Sequence, residues 1–298
     1  MGSIQNLRGC GTALVTPFKK DGSLDEPAIL RLVDFQLEGG VDFLVPCGTT
    51  GESAVLAPEE HDRVVELVVE RVQGRVPVIA GAGGNNTARV IETARRMERL
   101  GADGILSVTP YYNRPNPEGL FQHFKAVAES VSFPVILYNV PGRTATNLTP
   151  ETILRLCSVK NILGVKEASG NIGQITEIAL RIPDSFKLIS GDDANTLPII
   201  ALGGIGVISV VSNEVPKLMT RFTHLCLEGH FKEAMALQRQ MYSLMMLNFI
   251  DTSPIPVKAA LAHMGLVEET VRLPLVPIAP ANREKLETAI KRLGSIHQ

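Results

Sequence analysis

The chain has 298 residues, of which 45% are hydrophobic and 20% are charged, and its formal net charge at pH 7 is −2. These values are typical of a globular protein and allow one large α/β domain or two smaller ones. The lack of a basic excess argues against nucleic acid or an anionic membrane surface as a partner. No signal-peptide pattern and no apolar run of membrane-spanning length is found.

Short runs rich in β-branched residues recur along the chain, and each is followed by polar or glycine-rich residues. Their almost continuous apolar character is typical of strands buried on both faces of a parallel sheet. The predicted strands cover 11–18, 42–48, 77–83, 104–110, 134–140, 162–168, 186–192 and 206–212.

Helical patterns separate these strands, with apolar residues at helical spacing in 59–72, 88–100 and 121–131. Asp25 and Thr149 each stand just before a proline-containing first turn, which is a helix-start signal. Eight strand–helix units favour a closed (β/α)8 TIM barrel over an open doubly wound sheet, because such barrels typically take ~250 residues.

The sequence after the eighth strand predicts only helices, at 214–228, 230–249, 256–264 and 281–293. We therefore expect a (β/α)8 catalytic barrel over residues 1–229 and a small C-terminal helical domain over residues 230–298. The stretch "TSPIP" from Thr252 is predicted to be a turn inside that helical domain.

In a TIM barrel the active site lies at the C-terminal ends of the strands. Three of the four tyrosines fall at these ends: Tyr111 and Tyr112 follow the fourth strand, and Tyr138 ends the fifth. The second strand is followed by Thr49 and Thr50. The alternative interpretation is that strands simply favour aromatic residues.

Lys166 interrupts the apolar run "ILGVKEASG" of the sixth strand. Because side chains alternate along a strand, Lys166 shares a face with Gly164 and Ala168, whereas Leu163 and Val165 should meet the helices. Lys166 is thus expected inside the barrel, where burial lowers its pKa and makes the amine a nucleophile toward carbonyls. Pairing with a buried carboxylate or extension to solvent is the alternative.

Other chemistries lack their motifs. "GTTGES" from Gly48 has no P-loop lysine, "GAGGNN" from Gly81 does not match the dinucleotide fingerprint, and no GxSxG elbow occurs. The histidines have no ligand spacing and the four cysteines form no CxxC pair. We expect no metal, no other cofactor, no disulfide framework and a cytoplasmic location.

The lysines other than Lys166 are weaker candidates for a nucleophile. Lys258, for example, falls in a predicted helix, where its side chain should be packed or solvated.

Three motifs together resemble the dihydrodipicolinate synthase / N-acetylneuraminate lyase family: "CGTTGES" from Cys47, "YNVPGRT" from Tyr138 and "GVKEAS" from Gly164. The resemblance covers the whole chain and implies a class I aldolase that forms a Schiff base with pyruvate. "VTPYYNRP" from Val108 and Arg143 resemble the branch that condenses pyruvate with L-aspartate 4-semialdehyde on the diaminopimelate route to lysine.

The resemblance implies that Lys166 forms the imine with pyruvate, under a proton relay of Tyr138, Thr49 and Tyr112. In the family the equivalent of Tyr112 comes from a neighbouring subunit, so a homodimer or, as we expect here, a homotetramer built as a dimer of dimers is implied. Thr50 would hold the pyruvate carboxylate through its backbone N–H.

The resemblance assigns three further substrate-binding residues. Gly191 and Ile208 would line the pyruvate pocket, and Arg143 would take the carboxylate of the second substrate. Family members inhibited by lysine tend to have histidine and glutamate at the positions of Pro58 and Arg89, although His61 and Asn85 do match. An arginine repels the lysine ammonium group, so weak or absent feedback inhibition is expected.

Three other functions stay open at this point. An N-acetylneuraminate lyase or sugar-acid aldolase uses the same chemistry, but Arg143 and Tyr112 argue against it. A catalytically idle barrel used as a binding protein would have lost Lys166, Tyr138 or Thr49, and all three are present. A phosphate-binding barrel isomerase would carry glycine turns after the last two strands, where Asp192 and Asp193 are found after the seventh.

Overall fold

Eight parallel strands form the centre of the computed structural model, which describes residues 4–296. The strands are β1 (Gly9–Ala13), β2 (Phe43–Val45), β3 (Ile79–Gly81), β4 (Gly104–Val108), β5 (Val135–Asn139), β6 (Ile162–Glu167), β7 (Lys187–Ser190) and β8 (Gly206–Ser209). Each strand overlaps its predicted position, although β1 ends earlier than expected, because the buried residues after it form a loop that includes Pro17.

The strands are hydrogen-bonded in the order β2-β1-β8-β7-β6-β5-β4-β3. A parallel bridge between Leu44 and Val78 joins the two ends of this sheet, and the N–H of Leu44 donates to the carbonyl of Pro77 at 3.0 Å. The result is a TIM barrel, which confirms the predicted fold class.

Helices surround the strands and continue after the barrel. Those between and after the strands are α1 (Glu26–Glu38), α2 (Pro58–Val72), α3 (Thr87–Arg99), α4 (Pro117–Glu129), α5 (Pro141–Thr144), α6 (Pro150–Leu156), α7 (Ile172–Arg181), α8 (Thr196–Ala201) and α9 (Pro216–Leu227). The C-terminal helices are α10 (Phe231–Leu247), α11 (Ile255–His263) and α12 (Pro280–Ile296). Asp25 and Thr149 cap α1 and α6 as predicted, each accepting a backbone N–H bond.

The C-terminal helices pack on the barrel through a shared apolar cluster, in which Met241 and Ile255 join Phe222 of α9 and Val207 of β8. We keep residue 229 as the proposed boundary, because Gly229 has a positive φ of 80° between α9 and α10. None of the helices within residues 4–296 is long and apolar enough to cross a membrane.

Strand β6 contains an irregularity that decides where Lys166 points. Val135 of β5 pairs with Ile162, but the next residue, Ile136, pairs with Gly164, so β6 has one extra residue. Leu163 therefore packs inside the barrel with Tyr138, while Val165 packs outside against the helices. The predicted face was right for Val165 and wrong for Leu163, because a β-bulge shifts the alternation by one residue.

Gly164 is the residue that makes this bulge compatible with β7. A Cβ atom at this position would lie 2.2 Å from the carbonyl oxygen of Lys187, which is far closer than any side chain allows. After the bulge the alternation resumes, and the side chain of Lys166 enters the barrel beside Tyr138.

Candidate active site

A cavity of about 500 Å³ lies over the C-terminal ends of β2 to β5. Its polar lining includes Thr49 after β2, Tyr111 after β4, Tyr138 of β5 and Arg143 of α5. Residues 252–254 of the C-terminal region close one side. A concave apolar cavity with a few convergent polar groups is the usual form of a small-molecule site.

Lys166 lies beneath this cavity, at the back of the Tyr138 ring. Lys166 pairs with Tyr138 across the β5–β6 ladder, and its Nζ is 4.3 Å from the ring centroid. The side chain is only 5% exposed and is not itself part of the cavity lining. Tyr138 therefore borders both the amine and the cavity.

Burial lowers the pKa of Lys166 to about 7. The carboxylate of Asp193 opposes this shift, and the guanidinium of Arg143 adds to it. An exposed lysine has a pKa of about 10.4, so it is almost fully protonated at neutral pH. Lys166 is instead present in large part as the neutral amine, the form that attacks a carbonyl carbon.

Tyr138 and Thr49 form the part of the predicted relay that this chain brings together. Burial raises the pKa of Tyr138, while the charge of Arg143 and a hydrogen bond with the Thr49 side chain lower it. The phenol therefore stays protonated at neutral pH. In that state its hydroxyl can donate one hydrogen bond and accept another, as a proton relay requires.

Tyr112 is not near Lys166 in this chain. Its side chain is 91% exposed, its backbone has a positive φ of 68°, and it does not line the cavity. Tyr111, which the sequence analysis placed at this end of the barrel without a role, is the residue of the pair that lines the cavity.

Gly191 lies next to the Lys166 side chain, and Ile208 lies in the barrel interior. A Cβ atom at Gly191 would lie 3.1 Å from Cε of Lys166 and 2.6 Å from Cβ of Ala168, so only glycine leaves room there. Ile208 of β8 is 1% exposed and belongs to the same interior cluster as Tyr138. Gly191 therefore leaves room for the lysine side chain, and Ile208 is part of the apolar barrel interior.

The two residues predicted to bind carboxylates differ in exposure. Thr50 is 5% exposed and lies in the turn after β2, outside the cavity lining. Arg143 is exposed on the cavity lining, and its Nη2 donates to the carbonyl of Ser253 at 3.2 Å. The guanidinium is therefore held at the cavity entrance by the C-terminal region.

Asp193 is a buried carboxylate to which the sequence analysis gave no role. Its Oδ2 accepts the N–H groups of Val210 at 3.1 Å and Val211 at 2.9 Å, and its Oδ1 makes no hydrogen bond within residues 4–296. Burial raises its pKa to about 6. The sequence placed Asp193 at the end of β7, where active-site residues are expected. Only the fold shows that its carboxylate is close enough to raise the pKa of Lys166.

Comparisons with known proteins identify the family to which this chain belongs. The model of the dihydrodipicolinate synthetase family matches residues 6–293. A 4-hydroxy-tetrahydrodipicolinate synthase of Koribacter versatilis is 50% identical over 289 residues, which are 97% of this chain and 96% of the relative.

Two solved structures are similar over nearly the whole chain. A monomeric dihydrodipicolinate synthase variant is 42% identical with a TM-score of 0.96, and the match covers 98% of this chain and 99% of that one. The chloride-inhibited dihydrodipicolinate synthase of Acinetobacter baumannii, complexed with pyruvate, is 40% identical with a TM-score of 0.95, covering 96% and 99% of the two chains.

The lowered pKa of Lys166 predicts a distinct pH profile for its reductive methylation by formaldehyde and cyanoborohydride, followed by peptide mass spectrometry. Labelling should rise with pH, reach half of its maximum near pH 7 and level off above that pH, because half of the amine has lost its proton at its pKa of about 7. Asp193→Asn removes the charge that raises the pKa, so the inflection should move to lower pH.

Asp184→Asn is the matched control, because it makes the same change in an exposed loop at the other end of β7 and should leave the inflection in place. An inflection above pH 9 for the wild-type protein would contradict the lowered pKa of Lys166.

Proposed function

We propose a Schiff-base condensation of pyruvate with L-aspartate 4-semialdehyde for this chain, which belongs to the dihydrodipicolinate synthetase family. The observation that carries the proposal is the buried amine of Lys166, with a pKa of about 7, against the ring of Tyr138. The relative named 4-hydroxy-tetrahydrodipicolinate synthase, at 50% identity, supports the same reaction.

The first half of the reaction needs a neutral amine and a proton donor. Lys166 Nζ attacks the keto carbon of pyruvate, and the carbinolamine loses its hydroxyl as water after protonation by Tyr138. The resulting iminium ion draws electrons from the adjacent methyl group, so a methyl proton leaves and an enamine forms. Thr49, hydrogen-bonded to Tyr138, passes protons to and from the phenol.

The second half joins the two substrates. The enamine carbon attacks the aldehyde carbon of L-aspartate 4-semialdehyde, which forms a carbon–carbon bond and regenerates the iminium ion. The C=O double bond of the aldehyde opens in this step, and its oxygen takes up a proton to become a hydroxyl group. The amino group of the acceptor then adds to the iminium carbon and expels Lys166 as a free amine, which closes the ring. The water lost in the first half is the only other product.

Two groups hold the substrate carboxylates in this proposal. The turn of Thr49 and Thr50 binds the pyruvate carboxylate through backbone N–H groups. Arg143 binds the carboxylate of the acceptor, and its position on the cavity lining with one bond to Ser253 supports this role. Gly191 and Ile208 line the pyruvate pocket around Lys166.

We also propose a homotetramer built as a dimer of dimers, in which Tyr112 completes the relay of a neighbouring chain. An aromatic side chain that is 91% exposed at the same end of the barrel as Lys166 supports this role.

We further propose a cytoplasmic location. The thiols of Cys10, Cys47, Cys157 and Cys226 are free, which supports a reducing compartment.

Borohydride trapping with pyruvate tests the imine. We expect the mass of a reduced pyruvyl adduct on Lys166 in the wild-type protein and none on this position in Lys166→Met. Lys160→Met, which removes an exposed lysine before β6, should retain the adduct. A trapped adduct on another lysine would refute the mechanism.

The acceptor is tested on the same preparation, by comparing kcat/KM for aspartate semialdehyde with that for N-acetylmannosamine. Aspartate semialdehyde should be strongly preferred, because Arg143 offers a guanidinium to its carboxylate. A preference for the amino sugar would instead identify a sugar-acid aldolase.

Lysine should inhibit this enzyme weakly or not at all. Pro58 has no side-chain nitrogen with which to bind a ligand, unlike histidine, and Arg89 repels an ammonium group. Steady-state rates with increasing lysine measure this directly, and half-maximal inhibition at submillimolar lysine would contradict it. The double variant Pro58→His/Arg89→Glu should gain inhibition, since it removes both obstacles.

Tyr112→Phe removes only the hydroxyl that we assign to the relay of the neighbouring chain. We expect kcat to fall by about 100-fold, the usual scale of one proton-transfer group, with the sedimentation mass of four chains unchanged. Tyr242→Phe, a half-exposed tyrosine on α10, is the control and should keep full activity. Full activity in Tyr112→Phe, or in a species with the mass of one chain, would exclude the shared relay.

A further inference from the structure

Lys258 of α11 carries a fully buried ammonium group that contacts Glu52, whose backbone N–H donates to the carbonyl of Thr49 at 3.1 Å. Its Nζ donates to Oε1 of Glu52 at 2.6 Å and to the carbonyl of Thr16 at 3.0 Å. Lys258 and Thr16 are 0% exposed, and Glu52 is 4% exposed. One side chain from the C-terminal region thus connects the segments that follow β1 and β2.

Glu52 is held on both carboxylate oxygens. Lys258 binds Oε1, and the backbone N–H of Arg272 donates to Oε2 at 3.1 Å. The backbone of Glu52 is left-handed, with φ 52° and ψ 35°, which is uncommon for a residue other than glycine. Such a conformation persists where the surroundings fix it, and here those surroundings come from the C-terminal region.

Arg272 and Lys258 also share an aromatic surface. The Arg272 guanidinium and the Lys258 ammonium lie 4.2 Å and 4.3 Å from the ring centroid of Phe18, which is fully buried. Arg272 further donates to the carbonyl of Gly22 and to the carboxylate of Glu60. The cluster therefore has several anchors besides the Lys258–Glu52 pair.

The same C-terminal segment contacts the second carboxylate-binding element. The carbonyl of Ser253 accepts the bond from Nη2 of Arg143, five positions before Lys258 in the chain. Residues 253–258 thus touch both the Thr49–Thr50 turn, through Glu52, and the guanidinium proposed for the acceptor. A shift of this segment would change the distance between the two substrate subsites.

We propose that Lys258 is a positioning residue, which fixes Glu52 and so places the Thr49–Thr50 turn for the pyruvate carboxylate. This inference rests on the proposed function, because it assigns a substrate to that turn. If the Lys258–Glu52 pair instead only stabilises the fold, its loss lowers stability without changing pyruvate binding. The two roles therefore predict different kinetics.

The test compares Lys258→Met, the double variant Glu52→Gln/Lys258→Met and the control Arg283→Met, with active sites counted by borohydride trapping. Lys258→Met should raise the KM for pyruvate by about tenfold or more, because small misplacements of a binding group are costly in rate. The KM for the aldehyde should stay within about twofold, because Ser253 and its bond to Arg143 are kept.

The double variant separates positioning from stability. Removing Lys258 alone leaves a buried carboxylate without its cation, whereas removing both charges does not. The double variant should therefore have a higher melting temperature than Lys258→Met but keep the raised KM for pyruvate. If Lys258→Met does not fold, the double variant alone is compared with the wild-type protein. Arg283→Met loses an ion pair with Glu269 elsewhere in the C-terminal region and should leave the pyruvate KM unchanged.

Two results would overturn the inference while the proposed function stands. One is a lower melting temperature in Lys258→Met with an unchanged pyruvate KM per active site. The other is recovery of the pyruvate KM together with stability in the double variant. A wild-type protein that forms no pyruvate adduct at Lys166 would instead remove the proposed function, and this inference with it.

Discussion

The chemistry that we propose for this protein depends on keeping one amine out of water. An amine in a barrel interior loses the solvation that stabilises its charge, and Lys166 consequently has a pKa of about 7. Asp193, also buried, limits the shift, so the amine is close to half protonated at neutral pH. A group in that condition can act as a nucleophile and can still be released as a leaving group when the product forms.

The barrel meets this requirement through local departures from regular geometry. The extra residue in β6 lets Leu163 and Lys166 both enter the barrel, and Gly164 accommodates the bulge against β7. Gly191 leaves room for the lysine side chain itself. Bulges and close glycine contacts are common next to active sites, since they direct a side chain that a regular strand would point elsewhere.

The sequence predicted those features that depend on neighbouring residues. Strand and helix positions followed from periodicity, and the inward direction of Lys166 followed from alternation, although the assumption of a regular strand misplaced Leu163. Alternation carries no information about a bulge, which depends on contacts with the next strand. The partner of Lys258 was equally beyond prediction, because Glu52 lies 206 positions away in the sequence.

Tyr112 shows a further limit. Its hydroxyl is remote from Lys166 in this chain, so neither periodicity nor the fold of one chain assigns it a role. Asp193 is the opposite case, because its position at the end of β7 was visible but its burial beside the amine required the closed barrel. Residues at strand ends are thus easily found, whereas their electrostatic environment depends on the complete fold.

The contact between Lys258 and Glu52 also has a consequence for how the molecule is made. Glu52, in the turn after β2, is synthesised 206 residues before Lys258, whose side chain holds it. The nascent barrel can therefore close before the Thr49–Thr50 turn, which we propose binds the pyruvate carboxylate, is fixed. If Lys258 has the positioning role that we propose, the turn can bind pyruvate only after α11 has left the ribosome and packed against the barrel.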